Sequence, residues 1–202
     1  SEPVRRWVRD AFEAGTFEAV DARWRGDVRE FPYRQAGDGS GQFRIGGKAK
    51  DVLFKYAPNW PTAHGVSGDL LFEGAAMKFT AERGSVLEVP LTGVRARIDD
   101  LADARLELDG RASGDAAQFL KFIRESPLAD RIGEATRPLV AQGATVLDLS
   151  LKVPLAYPAR SNVAGRAQWQ DGIFEHSLAG LRVDELAGRY EFTEESLTLS
   201  GL

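Results

Sequence analysis

Residues 68–79 read GDLLFEGAAMKF, and residues 188–199 repeat the pattern as GRYEFTEESLTL, with glycine, phenylalanine and the apolar positions in register. In each copy, two runs of alternating apolar and polar residues flank a short turn of small or polar residues. A period of two is typical of a strand with one buried face, and two such runs around a tight turn predict a β-hairpin. The sequence therefore predicts two equivalent hairpins, each with one apolar face.

The same alternation fills most of the chain. In TVLDLSLKVPL, aliphatic residues at 147, 149, 151 and 153 alternate with Asp148, Ser150 and Lys152. One face of this strand is therefore aliphatic and the other polar, as in a sheet that is buried on one side only. Because large exposed apolar patches are rare on soluble proteins, the apolar face requires a cover. A second sheet, a helix or an apolar ligand could each provide it.

The number of strands favours a wide, bent sheet. About ten or eleven strands at a spacing of ~4.8 Å give a sheet roughly 50 Å across, and open sheets of that size curl. The sequence pattern therefore predicts a mainly β fold with a minor helical part, and one arrangement that fits it is a long curved antiparallel sheet that forms an apolar trough. A closed β-sandwich would give the same alternation and stays open as the alternative.

Two segments interrupt the strand pattern. Residues 1–15, SEPVRRWVRDAFEAG, have apolar residues at helical spacing and Gly15 as a stop, which predicts a short helix. Residues 114–140 form a helical insert of one or two helices, limited by Pro127 and Pro138. A first β section at 16–113 and a second at 141–202 complete a single β-rich fragment. A start within a helical pattern and an end within a strand pattern favour excision from a larger protein.

Composition excludes several functional classes. The net charge of −4 argues against nucleic-acid binding, which needs a concentrated basic surface. The chain has no cysteine, so disulfides and cysteine zinc sites are excluded. It also shows no apolar run near the ~18 residues that cross a bilayer, and its first residues lack a signal-peptide core.

The sequence predicts no catalytic residue, metal site or cofactor. Its two histidines, His64 and His176, lack any paired ligand spacing or nucleophile motif. The acidic pairs 99–100 and 194–195 fall in expected turns. A carbohydrate-active enzyme would need two carboxyl groups about 5 to 9 Å apart in one cleft, so we expect no enzyme here.

Four segments in order resemble the YhdP family, which belongs to the AsmA-like proteins of the Gram-negative envelope. They are YAPNWP at 56–61, GVSGDLLFEGAAMKF at 65–79, VPLTGVRARIDDL at 89–101 and SGDAAQFLKFIRESPL at 113–128. The likeness covers nearly the whole chain.

The resemblance implies a function. Members of the family are inner-membrane-anchored, bridge-like lipid transfer proteins whose periplasmic body is a β-sheet groove. The chain would then be a periplasmic segment that conducts phospholipids between the inner and outer membranes and supports outer-membrane biogenesis and the permeability barrier. Its partners would be phospholipid acyl chains, with membrane contact made through the parent chain. The alternative is a periplasmic β-sandwich that does not transport and serves as an interaction or structural domain.

Alternation selects the candidate groove residues. They are Phe43, Ile45, Val52, Phe54, Leu70, Phe72, Met77, Phe79, Leu147, Leu149, Leu151 and Val153. A one-residue shift in register would invert the assignment for a whole strand. In the helical insert, Phe119, Phe122 and Ile123 form a candidate lid, either a fixed cap or a movable gate.

Overall fold

The computed structural model describes residues 9–33, 41–56, 59–157, 160–193 and 196–200, without the side chains at positions 28, 131, 132, 197 and 199. Within these ranges, ten strands form one antiparallel sheet in which each strand pairs with its neighbours in chain order. The strands are β1 (Phe12–Gly26), β2 (Gly41–Phe54), β3 (Ala63–Glu73), β4 (Ala76–Val86), β5 (Val89–Ile98), β6 (Arg105–Asp115), β7 (Leu139–Pro154), β8 (Asn162–His176), β9 (Leu181–Thr193) and β10 (Leu197–Ser200). Residues 9–11 are helical, and the further helices are a 3-10 turn (Val28–Glu30), α1 (Ala116–Arg124) and α2 (Ala129–Thr136).

The two hairpins predicted from the repeated sequence are present. The first joins β3 to β4, with Phe72 paired to Met77, and the second joins β9 to β10, with Tyr190 paired to Leu199. The repeat therefore adds equivalent units to one sheet, although the turn residues 194–195 lie outside the described ranges.

Strand register gives the sheet one apolar face. A single row of paired positions runs Ile45, Phe72, Met77, Ile98, Leu106 and Val153 across β2 to β7. Because paired residues of neighbouring antiparallel strands point to the same side, every member of this row lies on one face. The next row, from Leu70 through Phe79 to Leu151, repeats the arrangement.

Irregular positions bend the sheet. Ala19, Asp51, Asp171 and Glu185 have positive φ inside strands, close to shifts in the pairing register. Such β-bulges bend the strand and increase its twist. Ile98 has 0% of its surface exposed, although the described chain contains only one sheet. Curvature that crowds side chains on the apolar face explains this burial.

The accessible surface agrees with an open architecture. The chain exposes 12811 Å² for a mass of 22.1 kDa, whereas a compact globular protein of that mass exposes about 9,300 Å². The prediction of a mainly β fold with a long curved antiparallel sheet is confirmed. The closed β-sandwich alternative does not describe this fold.

The predicted N-terminal helix extends too far along the chain, since of residues 9–15 only 9–11 are helical. Residues 1–8 lie outside the described ranges, but β1 already begins at Phe12, which pairs with Phe54. Gly15 (φ +127) is not a helix stop, because it lies in β1, where a Cβ would come within 2.8 Å of the Val52 backbone. Pairing with β2 therefore overrides a local helical pattern.

The alternating run SVLEVPL at residues 85–91 is typical of one strand, but the structure divides it between two. Leu87 and Glu88 both have positive φ and form the tight turn between β4 and β5. Positive φ at two central residues matches the twist of a hairpin. Neither residue is a usual turn former, so composition gave no signal.

The helical insert consists of two helices inside the predicted range 114–140. Asp115 caps α1, and Pro127 and Pro138 follow the ends of α1 and α2. β6 and β7 flank the insert, and the whole of β6 pairs with β7, from Arg105 opposite Pro154 to Asp115 opposite Ala144. The two predicted β sections therefore belong to one continuous sheet.

Candidate functional site: the apolar face of the curved sheet

All twelve predicted groove residues lie on the apolar face. The four positions on β7, Leu147, Leu149, Leu151 and Val153, pair with inward positions of β6. On β2, the bulge at Asp51 inserts one residue, so Val52 and Phe54 stay on the face that carries Phe43 and Ile45. Their contact with lipid stays a prediction.

Burial separates the twelve residues into two groups. Val52, Met77 and Phe79 are only 1%, 3% and 8% exposed and belong to the protein's own core. Ile45 is 37% exposed, and the remaining residues are half-buried. At the central strands, the apolar side chains are therefore buried within the protein's own core. Toward β1 and β2 on one side, and toward β7 to β9 on the other, the apolar face is more exposed.

Loops cover the central strands at one end. Leu101 and Leu155 pack against the buried cluster of Met77, Ile98 and Leu106. Backbone hydrogen bonds hold these loops together, from Leu101 N to Ala75 O at 2.8 Å and from Leu155 N to Ala104 O at 2.9 Å. The loops that follow β5 and β7 therefore cover the apolar face at this end of the strands.

Helix α1 covers the opposite end of the strands. Of the predicted lid residues, Phe122 lies with its ring 5.7 Å from Trp60 and packs against the β2–β5 core. Phe119 and Ile123 are half-buried and belong to neither neighbouring cluster. Leu120, which the sequence analysis did not select, packs against Ala116, Ala141 and Trp169. The covering surface of α1 therefore differs from the predicted one.

Hydrogen bonds fix both ends of α1. The Asp115 carboxylate accepts from Ala117 N at 2.8 Å and from Gly143 N at 2.9 Å. At the other end, Arg124 Nη2 donates to the carbonyl oxygens of Thr136 and Leu139, both at 2.7 Å. These contacts tie the helix to α2 and to the start of β7.

Aromatic side chains surround this covered end. Ring centroids are separated by 5.2 Å between Phe12 and Phe54, 6.3 Å between Phe54 and Tyr56, and 6.2 Å between Tyr56 and Trp60. Burial raises the pKa of Tyr56. The contact between Trp60 and α1 could not be predicted from the sequence, since the two partners are about sixty residues apart.

The edge strand β1 leaves apolar side chains exposed. Phe17 is 45% exposed, Val20 59% and Trp24 56%. The Trp24 indole nitrogen nevertheless donates to the Tyr33 hydroxyl at 3.0 Å, and Tyr33 donates to Asp27 O at 2.7 Å. The ring of Trp24 is thus held in place while its face remains accessible.

The opposite face is polar and carries ion pairs between strands. Arg111 contacts Asp148 at 2.7 Å, and Arg166 contacts Glu191 at 2.9 Å. Hydrogen bonding from Arg111 lowers the pKa of Asp148. A hollow of about 660 Å³ lies on this polar face, along β5 to β10. Exposed pairs of this kind contribute little stability and keep this face in water.

The side chains that could bind a metal ion are dispersed in the part of the chain that the structure describes. The described residues contain no group of three potential metal ligands. Asp100 lies in the β5–β6 turn and accepts from Ala102 N at 2.8 Å, whereas Glu194 and Glu195 lie outside the described ranges. His176 accepts from Ala179 N at 3.1 Å. None of the helices in the described ranges is long and apolar enough to cross a membrane.

Comparison with known proteins identifies the family. A family model described as YhdP protein matches residues 1–202. The chain belongs to the YhdP family. This agrees with the resemblance in the four sequence segments, and the YhdP family is associated with the cell envelope. Neither the curated proteins nor the solved structures contain a match to this chain.

Proposed function

We propose that this YhdP-family chain is a periplasmic segment of an inner-membrane-anchored protein that conducts phospholipids between the two membranes. The observation that carries the proposal is the unbroken apolar face, whose rows cross strand after strand without a charged side chain. Acyl chains lie on this face, and headgroups stay in water at its open side. The polar face, with its ion pairs, is turned to the periplasm.

Partitioning supplies the driving force. Each buried methylene group stabilises a bound lipid by ~0.8 kcal/mol relative to water. Because Leu147, Leu149 and Leu151 present similar aliphatic surfaces, no position holds the lipid much more strongly than the next. Movement along such a face breaks no covalent bond, so the chain needs no catalytic residue for it.

The burial pattern indicates where lipid is received. The half-buried rows on β7 to β9 and the exposed residues of β1 and β2 are accessible to acyl chains. Passage across β3 to β6 requires movement of the loops that cover Ile98. The bonds at both ends of α1 favour a fixed cap over a movable gate at the opposite end of the strands.

The test is native mass spectrometry of the chain purified without detergent, followed by lipid extraction. The double variant Leu149→Glu/Leu151→Glu places two charges on the apolar face. Val146→Glu is the matched control, because Val146 lies on the polar face of the same strand and is 36% exposed. We expect phospholipid adducts on the wild-type chain and the control, and none on the double variant.

A second candidate is a domain that binds proteins and transports nothing. The full burial of Ile98 and the filled central strands favour it, since they show that part of the apolar face covers itself. This candidate predicts no exchangeable lipid. Absence of adducts from the wild-type chain, with cooperative unfolding that added phospholipid leaves unchanged, would establish it over the transport proposal.

A further inference from the structure

The apolar face of β7 to β9 carries few polar groups, and nearly all of them are bonded within the protein. Trp169 Nε1 donates to Gln142 O at 2.9 Å, and Thr145 Oγ1 donates to Gly143 O at 3.3 Å. His176, at the end of β8, accepts a backbone hydrogen bond. Among the described side chains of this surface, the Tyr190 hydroxyl alone has no protein partner.

Tyr190 is well placed to meet a bound molecule. It pairs with Ala167 on β8, which in turn pairs with Leu147 on β7, so all three lie in one row of the apolar face. The centroid of the Tyr190 ring lies 6.0 Å from that of Trp169, with the two ring planes tilted by 45°. Because Ala167 is small, no large side chain separates the phenol from Leu147 within this row. In the next row, the ring of Phe192 lies over Gly165, beside Leu149.

The chemistry of the phenol restricts the choice of ligand. Burial raises the pKa of Tyr190, so at neutral pH the hydroxyl is protonated and donates a hydrogen bond. Because the surrounding surface is aliphatic, the ligand group that suits this donor is a hydrogen-bond acceptor attached directly to a hydrocarbon chain. In a diacyl lipid, that acceptor is the ester carbonyl that joins the acyl chain to glycerol, whereas an ether oxygen is a poorer acceptor.

We propose that Tyr190 binds the ester carbonyl of a diacyl lipid whose acyl chain lies along Leu147 and Leu149. This inference rests on the proposed function. It adds a polar contact that positions the glycerol backbone at β9 and selects ester-linked over ether-linked lipids. A single net hydrogen bond is weak enough to be released as the lipid moves on.

The experiment uses an equimolar mixture of phosphatidylethanolamine with ester-linked chains and phosphatidylethanolamine with ether-linked chains of equal length. Native mass spectrometry measures the ratio of the two adducts. We expect the wild-type chain to favour the ester lipid by about 2- to 10-fold, the effect of one net hydrogen bond. Tyr190→Phe keeps the ring and should bring the ratio close to one.

Tyr157→Phe is the matched control. Tyr157 is 64% exposed in the β7–β8 connection, so removal of its hydroxyl should leave the ratio of ester to ether adducts unchanged. A ratio that Tyr190→Phe does not alter would overturn the inference, as would equal loss of both adducts, because the hydroxyl contact discriminates only the ester. Absence of both adducts from the wild-type chain would instead overturn the proposed function.

Discussion

The rings of Trp60 and Phe122 lie 5.7 Å apart and join the β2–β3 connection to α1. Phe122→Ala removes this contact, and we expect it to lower the free energy of unfolding by about 2 kcal/mol, below the range for a fully buried phenylalanine. Urea denaturation monitored by circular dichroism measures the change. Phe119→Ala on the same helix is the control and should cost less than half as much. Equal losses would show that the ring contact does not anchor α1.

Asp115 links the start of α1 to β7. Asp115→Ala removes the N-cap and leaves Gly143 N without its acceptor, so we expect a loss of about 1 to 2 kcal/mol in unfolding free energy. Asp130→Ala, in the first turn of α2, keeps the α1 cap and should cost no more than ~0.5 kcal/mol. Hydrogen exchange should also quicken at Ala117 and Gly143 in Asp115→Ala alone. Unchanged exchange at Gly143 would contradict the link to β7.

The bulge at Gly143 tolerates no side chain. Gly143 has φ +116, and a Cβ there would lie 2.8 Å from the carbonyl oxygens of Gln170 and Asp171. Gly180 has φ +60 with nothing within 4 Å of a Cβ. We therefore expect Gly143→Ala to destabilise the fold by about 3 kcal/mol and Gly180→Ala by about 1 kcal/mol. Thermal unfolding compares the two, and similar effects would mean that the bulge can relax.

The pKa of Asp148 should be lower than that of an ordinary aspartate, because Arg111 donates hydrogen bonds to its carboxylate. A carboxyl group whose pKa is lowered by folding stabilises the protein above its unfolded pKa of ~3.9, and this stabilisation is lost as the pH falls through the folded value. NMR titration should show that Arg111→Gln raises the pKa of Asp148. Because the pair is exposed, the effect on stability should be small and should weaken with salt. Arg182→Gln, on a different pair of strands, should leave Asp148 unchanged.

The alternation of apolar and polar residues was sufficient to predict the two-sided character of the sheet. Residues 147–153 and the hairpins at 68–79 and 188–199 could be assigned because side chains in a strand alternate with a fixed period of two. In an unbroken β2 strand, Val52 and Phe54 would lie on the face opposite to Phe43 and Ile45. The bulge at Asp51 adds one residue and brings all four side chains to the apolar face.

Local patterns failed where distant strands compete with them. Residues 9–15 carry a helical spacing, but from Phe12 onward they pair with β2 across about forty residues of sequence. Leu87 and Glu88 form a turn that their composition does not signal. In both places, a cross-strand hydrogen-bond ladder outweighs intrinsic propensities of a few tenths of a kcal/mol per residue.

The sequence by itself determined that the sheet has one apolar and one polar side, that a hairpin is repeated, and which family the chain belongs to. Only the tertiary structure decided which apolar residues are available to a ligand. Met77 and Ile45 lie in the same row of the apolar face, yet Met77 is 3% and Ile45 is 37% exposed. The physical reason is that burial depends on the curvature set by the bulges and on α1 and the loops that cover the central strands, whereas alternation depends only on the pleat of a single strand.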